Sequence, residues 1–202
     1  MKEGIEKNIH SEERMLKTLV KWIILSAIVG SIVGVIASGF AYVISWVTEF
    51  RVEHPLMLLG LPVGGILVAF LYKMSGQENN TGTNMVLDTI RTPKAEMPTV
   101  IATLILIATT VTHLFGGSSG REGAALQFGA SVGSAFGRVL NLNESDRKII
   151  MLSGMSAAFA ALFGTPMAAA IFPMEVTSVG IMYYSALVPC VFSAFIGEYV
   201  SV

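Results

Sequence analysis

The sequence predicts an all-α, polytopic membrane protein built from broken and tilted helices. Of its 202 residues, 53% are hydrophobic and 13% are charged, whereas soluble domains usually carry about 25% charged residues. Apolar segments near the roughly 20 residues that a membrane-spanning helix needs alternate with polar stretches that contain glycine, proline or serine. The net charge of −1 argues against a nucleic-acid partner. The single cysteine, Cys190, excludes an internal disulfide framework and a cysteine metal site.

Residues 1–21 form a charged lead-in to the first span. Charges occur throughout this stretch, which lacks the short apolar core and the small-residue cleavage site of a signal peptide. We interpret it as an amphipathic cytoplasmic segment, because basic residues favour the cytoplasmic side. The transmembrane domain covers residues 22–202 and opens with one long, tilted helix from Trp22 to about Phe50. Small residues four apart predict that another helix approaches this helix closely: Gly30, Gly34 and Ser38.

The rest of the chain predicts six or seven further helices of unequal length. The expected elements are a span over 55–72, a short helix from Thr83 that stops at Pro93, a span from Pro98 to Leu114, a helix from Glu122 to Gly137, a polar loop over 141–148, two short pieces over 149–163 and 166–174 divided by Gly164-Thr165-Pro166, and a final span from about 179 to 196. A stripe of small residues on the helix that follows Glu122 predicts close packing: Ala125, Gly129, Gly133 and Gly137. Short, interrupted apolar helices are typical of transporters.

The rest of the chain is organised around the stretch His113 to Gln127, which reads H-L-F-G-G-S-S-G-R-E-G-A-A-L-Q. It separates two apolar segments, and irregular backbone at membrane depth is tolerated only where protein buries it or where it lines a cavity. Ionisable residues at that depth, here Arg121 and Glu122, indicate a functional site. The helix that starts here would direct free N–H groups and the positive end of its dipole at a bound anion.

Glu122 is the strongest candidate for a functional residue. A carboxylate at the start of this helix would compete with an anion for the same N–H donors, and once protonated it would swing away, so it would act as a gate and as a proton carrier. The alternatives are a glutamate that only complements the helix dipole, or one paired with Arg121. Adjacent residues on a helix point apart, which disfavours that pair. Arg121 could instead add positive potential or satisfy carbonyl groups.

Three other polar residues are less decisive. The hydroxyl of Thr83 and the N–H groups that follow it could bind an anion, but an N-cap threonine is the ordinary alternative. His113 is interpreted as a packing or interfacial histidine. Glu175 could face water or a cavity at the end of its short helix.

A serine hydrolase is the alternative that the glycine- and serine-rich stretch raises. Gly116-x-Ser118-x-Gly120 fits a nucleophile elbow, which needs a preceding strand, but an apolar helix precedes it here. An intramembrane protease acting through Ser119 would need a histidine base on another helix, whereas His10 and His54 lie in polar stretches. A phosphate-binding loop of the G-x-x-x-x-G-K-[ST] type is absent from the sequence. We therefore predict a protein that is not an enzyme and that has no cofactor or metal.

Three motifs resemble those of the CLC family of chloride channels and anion/proton exchangers. The first is Gly120-Arg121-Glu122-Gly123-Ala124, which resembles the family's G-[KR]-E-G-P with its gating glutamate. The second is Gly82-Thr83-Asn84-Met85-Val86, which resembles G-S-G-I-P, whose serine coordinates the central anion. The third covers 157–168, A-A-F-A-A-L-F-G-T-P-M-A, and resembles A-A-F-N-A-P-L-A. Their order and spacing also fit, and the resemblance covers nearly the whole chain from about residue 20.

The resemblance implies the first half of a CLC-type inverted repeat in the cell membrane. It implies transport of an inorganic anion coupled to protons, a homodimer in membrane lipid, and a C-terminal half that this chain does not contain. Glu122 would be the gate and proton carrier. The anion would be bound at the two helix starts by Thr83, Asn84, Arg121, Glu122, Gly123 and Ala124.

Departures from the family pattern favour its fluoride-exporting branch. Ala124 stands where the family has proline, Thr83 stands where it has serine, and Val176 stands where exchangers carry an internal glutamate. That branch usually has methionine or asparagine at the central position, so a chloride-selective channel or exchanger is the alternative. A membrane module that is inactive on its own is a further alternative, because the chain holds only half of the expected pathway.

Overall fold

The computed structural model describes residues 2–92, 96–177 and 182–201, with side chains from Glu12 onward. These residues form eight α-helices and two 3-10 helices, with no strand among them, and the all-α prediction is confirmed. The α-helices are α1 (Lys2–Glu53), α2 (Leu61–Met74), α3 (Thr83–Arg91), α4 (Val100–Leu114), α5 (Arg121–Val139), α6 (Glu144–Phe163), α7 (Pro166–Val176) and α8 (Leu187–Ser201). The 3-10 helices are Pro55–Gly60 and Tyr184–Ala186.

The first helix contains both the predicted lead-in and the predicted first span. α1 has 52 residues and continues without a break past Lys21, so it is about 78 Å long at about 1.5 Å per residue. The hydrocarbon core of a bilayer is only about 30 Å thick. Side chains from Glu12 to Lys21 are all exposed. The described chain has three helical stretches long and apolar enough to cross a membrane, namely Glu12–Glu53, Pro55–Met74 and Tyr184–Ser201.

Helices α1 and α8 pack side by side through small residues, as the spacing in α1 predicts. A Cβ atom added to either glycine of α1 in this contact would lie 2.7–2.8 Å from a backbone oxygen of α8. Besides these two glycine contacts, the Ser38 hydroxyl donates a hydrogen bond of 3.4 Å to the carbonyl oxygen of Ser201. Every facing pair is 163 positions apart, so the two helices run parallel. The pairs are Gly30 with Ser193, Gly34 with Gly197, and Ser38 with Ser201.

The small-residue stripe of α5 packs against α6, which confirms the predicted close approach. A Cβ atom on Gly129 would lie 2.5 Å from the carbonyl oxygen of Gly154, and one on Gly133 would lie 2.6 Å from that of Ile150. Moving along α5 therefore means moving backward along α6, and the two helices form an antiparallel pair. The core lies between these helices, α1 and α8, and includes the fully buried Phe128.

The predicted polar loop over 141–148 is wrong in extent. α6 begins at Glu144, because the side-chain oxygen of Asn143 accepts a 2.8 Å hydrogen bond from the Asp146 amide and so caps the helix. The predicted piece 149–163 is therefore the larger part of a 20-residue helix. The predicted division between the two pieces is confirmed, since Gly164 ends α6 at φ +63° and α7 begins at Pro166.

Two predicted boundaries fall outside the described residues: the stop of α3 at Pro93, and the start of the last span near 179. Within the described chain, α3 ends at Arg91 and α8 is preceded by the 3-10 turn Tyr184–Ala186.

Candidate functional site

The start of α3 is shaped by a glycine rather than by a capping side chain. Gly82 occupies the N-cap position at φ +67°, a conformation that favours glycine, and its amide donates a 2.6 Å hydrogen bond to Asn80 Oδ1. Thr83 is the first helical residue, and its hydroxyl makes no capping hydrogen bond. The interpretation of Thr83 as an N-cap residue is therefore wrong. Among the described residues, no side chain caps the free N–H groups of this first turn.

The loop before α5 is held in place by packing against α2. The ring of Phe115 packs directly on Gly60 and Gly64, where an added Cβ atom would lie 2.6–2.7 Å from the ring. Gly116 then turns the chain at φ +80°, and Gly120 is the extended N-cap residue of α5. As in α3, no side chain caps the first turn. The predicted helix start at this break is confirmed, with α5 beginning at Arg121.

The first turns of α3 and α5 meet. A Cβ atom added to Gly123 would lie 3.2 Å from the hydroxyl oxygen of Thr83, so a side chain here would require that hydroxyl to shift by a few tenths of an ångström. Each turn carries N–H groups that have no partner in their own helix, together with the positive end of a helix dipole. Thr83 and Gly123, which belong to two separate sequence motifs, thus lie side by side.

Arg121 and Glu122 point in different directions and form no salt bridge with each other or with another described residue. The carboxylate of Glu122 folds back over the N-cap residue, with Oε2 only 2.6 Å from the position that a Cβ of Gly120 would take. Arg121 instead lines a cleft of about 390 Å³ beside α1 and the end of α4. Both side chains are exposed in this chain. The alternative of an Arg121–Glu122 pair is therefore wrong.

The other predicted site residues are placed differently. Ala124 is buried against Phe40 and Ile44 of α1, so its methyl group belongs to the core and only its backbone could take part in a site. Asn84 is exposed in the first turn of α3, and Glu175 is exposed near the end of α7.

The cleft beside Arg121 brings in residues that the sequence interpretation did not combine. It is lined by Ile44, Ser45, Thr48, Glu49 and His113 in addition to Arg121. His113 is half-buried, and its Nδ1 lies 2.8 Å from the carbonyl oxygen of Thr109. Glu49 was missed because it lies far from Arg121 in sequence. The spacing of Ser45, Thr48 and Glu49, which puts them on one face of α1, was the available signal.

The hydrolase alternative gains no support from the described residues. The helix α4 precedes the G-x-S-x-G pattern, where an elbow would need a strand. His54 stacks on Phe50, and its Nδ1 lies 2.9 Å from the Phe50 carbonyl oxygen. The side chain of His10 lies outside the described part of the chain.

Short, interrupted apolar helices with two helix starts that meet are typical of the class of proteins that includes secondary transporters and related channels. A family model described as voltage gated chloride channel matches residues 64–202, and the chain belongs to this family, the CLC family.

Relatives match nearly all of this chain, but the chain matches less than half of each relative. A chloride/fluoride channel protein of Pseudomonas syringae pv. tomato is 38% identical over 186 residues, which is 92% of this chain and 41% of that protein. An uncharacterised protein of Methanocaldococcus jannaschii is 23% identical, covering 89% of this chain and 43% of that protein.

Solved structures match in the same way. The crystal structure of a CLC-type fluoride/proton antiporter has a TM-score of 0.85 and 33% identity, over 91% of this chain and 46% of that one. The structure of a slow cyanobacterial Cl−/H+ antiporter has a TM-score of 0.61 over 89% of this chain and 46% of that one. At 20% identity, the second likeness concerns the fold alone.

Proposed function

We propose that this chain is the N-terminal half of a CLC-type transporter that exchanges fluoride for protons across the cell membrane. The observation that carries the proposal is the meeting of the α3 and α5 helix starts at Thr83 and Gly123, with the Glu122 carboxylate folded over the start of α5. The likeness to a chloride/fluoride channel protein and to a fluoride/proton antiporter supports the choice of anion.

The anion would bind where the two first turns meet. Backbone N–H groups and the positive ends of two helix dipoles attract an anion without any fixed positive charge in contact with it. The Thr83 hydroxyl, which caps nothing, would donate one further hydrogen bond. Arg121 would add positive potential from the neighbouring cleft. The residues of this site would be Thr83, Asn84, Arg121, Glu122, Gly123 and Ala124, the last through its backbone.

Glu122 would act as the gate and the proton carrier. Its ionised carboxylate and the anion are attracted to the same N–H donors, so the carboxylate would occupy the site when the anion is absent. Protonation removes the negative charge, which weakens that attraction and lets the side chain swing away. Each swing would carry one proton, and this is how anion movement would become coupled to protons.

The opposite wall of the pathway would come from a C-terminal half. Supporting this, the chain spans 41% and 46% of the chloride/fluoride channel protein and of the antiporter structure, respectively. We also propose a homodimer in the lipid bilayer, as the resemblance to the CLC family implies. Large apolar side chains exposed along α7 and α8 support burial of these helices in lipid or against another chain: Met167, Ile171, Phe172, Phe192, Phe195 and Tyr199.

The test is transport by this chain completed with the C-terminal half of the Pseudomonas relative and reconstituted in liposomes. Glu122→Gln and Glu122→Ala should leave anion efflux but abolish the proton movement that accompanies it, because neither side chain can be ionised. Glu144→Gln is the matched control, since Glu144 is another exposed carboxylate in the first turn of a helix, α6, and takes no part in the proposed site. Proton coupling that persists in both Glu122 variants would disprove the assigned role.

The same liposome preparation also tests two alternatives, a chloride-selective protein and a chain that is inactive on its own. Chloride efflux faster than fluoride efflux would identify a chloride channel or exchanger, which the hydroxyl at Thr83 favours. Liposomes that contain only the 202-residue chain distinguish an independent transporter from a membrane module that is inactive alone. We expect no flux from the chain alone, because Glu122 is exposed here rather than enclosed by a second wall.

A further inference from the structure

Gln127 is a buried polar residue one helical turn beyond the meeting point of α3 and α5. Its side chain is 5% exposed, and it shares a face of α5 with Gly123, four positions earlier. Its amide nitrogen donates a 3.2 Å hydrogen bond to the carbonyl oxygen of Gly123. The side chain therefore runs back along α5 toward the N-terminus of the helix, as long side chains on helices do.

This hydrogen bond determines which atom of the Gln127 side-chain amide has no partner. If the amide were turned by 180°, its oxygen would face the carbonyl oxygen of Gly123, and two acceptors would repel each other. The observed orientation is thus the favourable one, and it leaves Oε1 as a pure acceptor. Oε1 is buried and accepts no hydrogen bond from a described residue. Buried polar atoms of this kind are satisfied in the great majority of folded proteins.

A second polar group adjoins the same face of α5. The Thr83 hydroxyl lies against Gly123, and no hydrogen bond joins it to another described residue. A buried water molecule typically needs two to four polar partners, and Gln127 Oε1 would be one of them. An anion is unsuited to the position beside Oε1, because it cannot donate a hydrogen bond to an acceptor.

We infer that Gln127 Oε1 is a binding site for a neutral O–H donor, a water molecule held beneath the first turn of α5. The protonated carboxyl of Glu122, if it swung inward, carries the same O–H chemistry and is the other source of the donor. The inference concerns hydrogen bonding in the folded chain and does not depend on transport. If the proposed transport is correct, this site places a proton-bearing group one turn inward of the gate.

The test is thermal unfolding of the purified full chain in detergent, with Gln127→Met as the variant. Methionine matches glutamine in length and helix propensity. The change removes Oε1 together with the Nε2 donor of the hydrogen bond to Gly123, while the Gly123 carbonyl oxygen keeps its helical hydrogen bond. If Oε1 accepts a hydrogen bond, two such bonds are lost and the midpoint should fall by about 4–8 °C, twice the shift expected for one bond in a domain of this size. The control is Leu126→Met at the neighbouring buried position, which introduces the same residue without deleting a polar group.

The opposite result overturns the inference. A buried acceptor without any donor destabilises the fold, so its removal would leave the midpoint unchanged or raise it. Repeating Gln127→Met in a Glu122→Ala background identifies the donor. A fall that keeps its full size in that background assigns the donor to water, and a fall reduced by about half assigns it to the Glu122 carboxyl, because only the Nε2 hydrogen bond is then left to lose. Because the measurement needs no flux, it remains informative if the proposed transport fails.

Discussion

The contact between α5 and α6 gives the sharpest stability prediction, through the substitution Gly129→Ala. The added Cβ atom would lie 2.5 Å from the carbonyl oxygen of Gly154 and 2.9 Å from the Cα of Met155. Both are backbone atoms and cannot rotate away. Ordinary contacts begin near 3.4 Å, so the two helices would have to separate locally by up to about 1 Å, and close packing resists such a shift.

The expected magnitude follows from two opposing effects. Overpacking of this kind costs typically about 1–3 kcal/mol, and backbone obstruction puts Gly129 at the upper end of that range. Alanine is a better helix former than glycine by about 1 kcal/mol, which offsets part of the cost. The net loss is then about 1–2 kcal/mol, or a fall of about 2–8 °C in the unfolding midpoint for a chain of this length.

The matched control is Gly65→Ala in α2, where an added Cβ atom meets nothing within 4 Å. Only the helix-propensity gain applies there, so the midpoint should rise by about 1–4 °C. Both variants are measured by thermal unfolding in the same detergent. If Gly129→Ala melts at or above the unsubstituted chain, the α5–α6 contact does not require glycine and the reasoning fails.

Two further substitutions test single backbone features by the same measurement. Asn143→Ala removes the cap of α6 and should cost about 1 kcal/mol, whereas Asn143→Ser should retain most of the stability; equal losses in both would argue against capping. Gly164→Ala places a side chain at φ +63° in open space, so the cost of about 1–2 kcal/mol comes from the backbone alone. Gly164→Asn should recover part of the lost stability, because asparagine tolerates this conformation. If Gly164→Ala caused no loss of stability, the positive φ would not be what requires glycine at this position.

The helix starts that build the candidate site were predictable from the sequence. Thr83 follows a polar, glycine-containing stretch, and Arg121 follows a run of glycine and serine, so each helix has a local start signal. The small-residue stripes also identified two close helix contacts, because only small side chains allow backbones to approach. Each of these patterns involves only a few neighbouring residues, so it can be recognised in a single sequence.

Features that depend on long-range geometry were not predictable in this way. The sequence predicted that Arg121 and Glu122 point apart, but it could not give the destination of either side chain, since the cleft beside Arg121 is built from α1 and α4. The unsatisfied oxygen of Gln127 is likewise visible only once its surroundings are known. The start of α6 at Glu144 was missed for another reason: a polar first turn after the capping Asn143 looks like a loop when polarity alone is considered.

The parallel contact between α1 and α8 has a consequence for the order in which the chain assembles. Its partners are 163 positions apart, so nearly the whole described chain must be synthesised and placed before this contact can form. Until then, the glycine face of α1 can meet only lipid or an incorrect partner. Contacts between distant positions close late, because the entropy of the intervening chain must be overcome first. Docking of α8 on α1 should therefore be a late step among the contacts of the described residues, and errors in α8 should leave the glycine face of α1 uncovered.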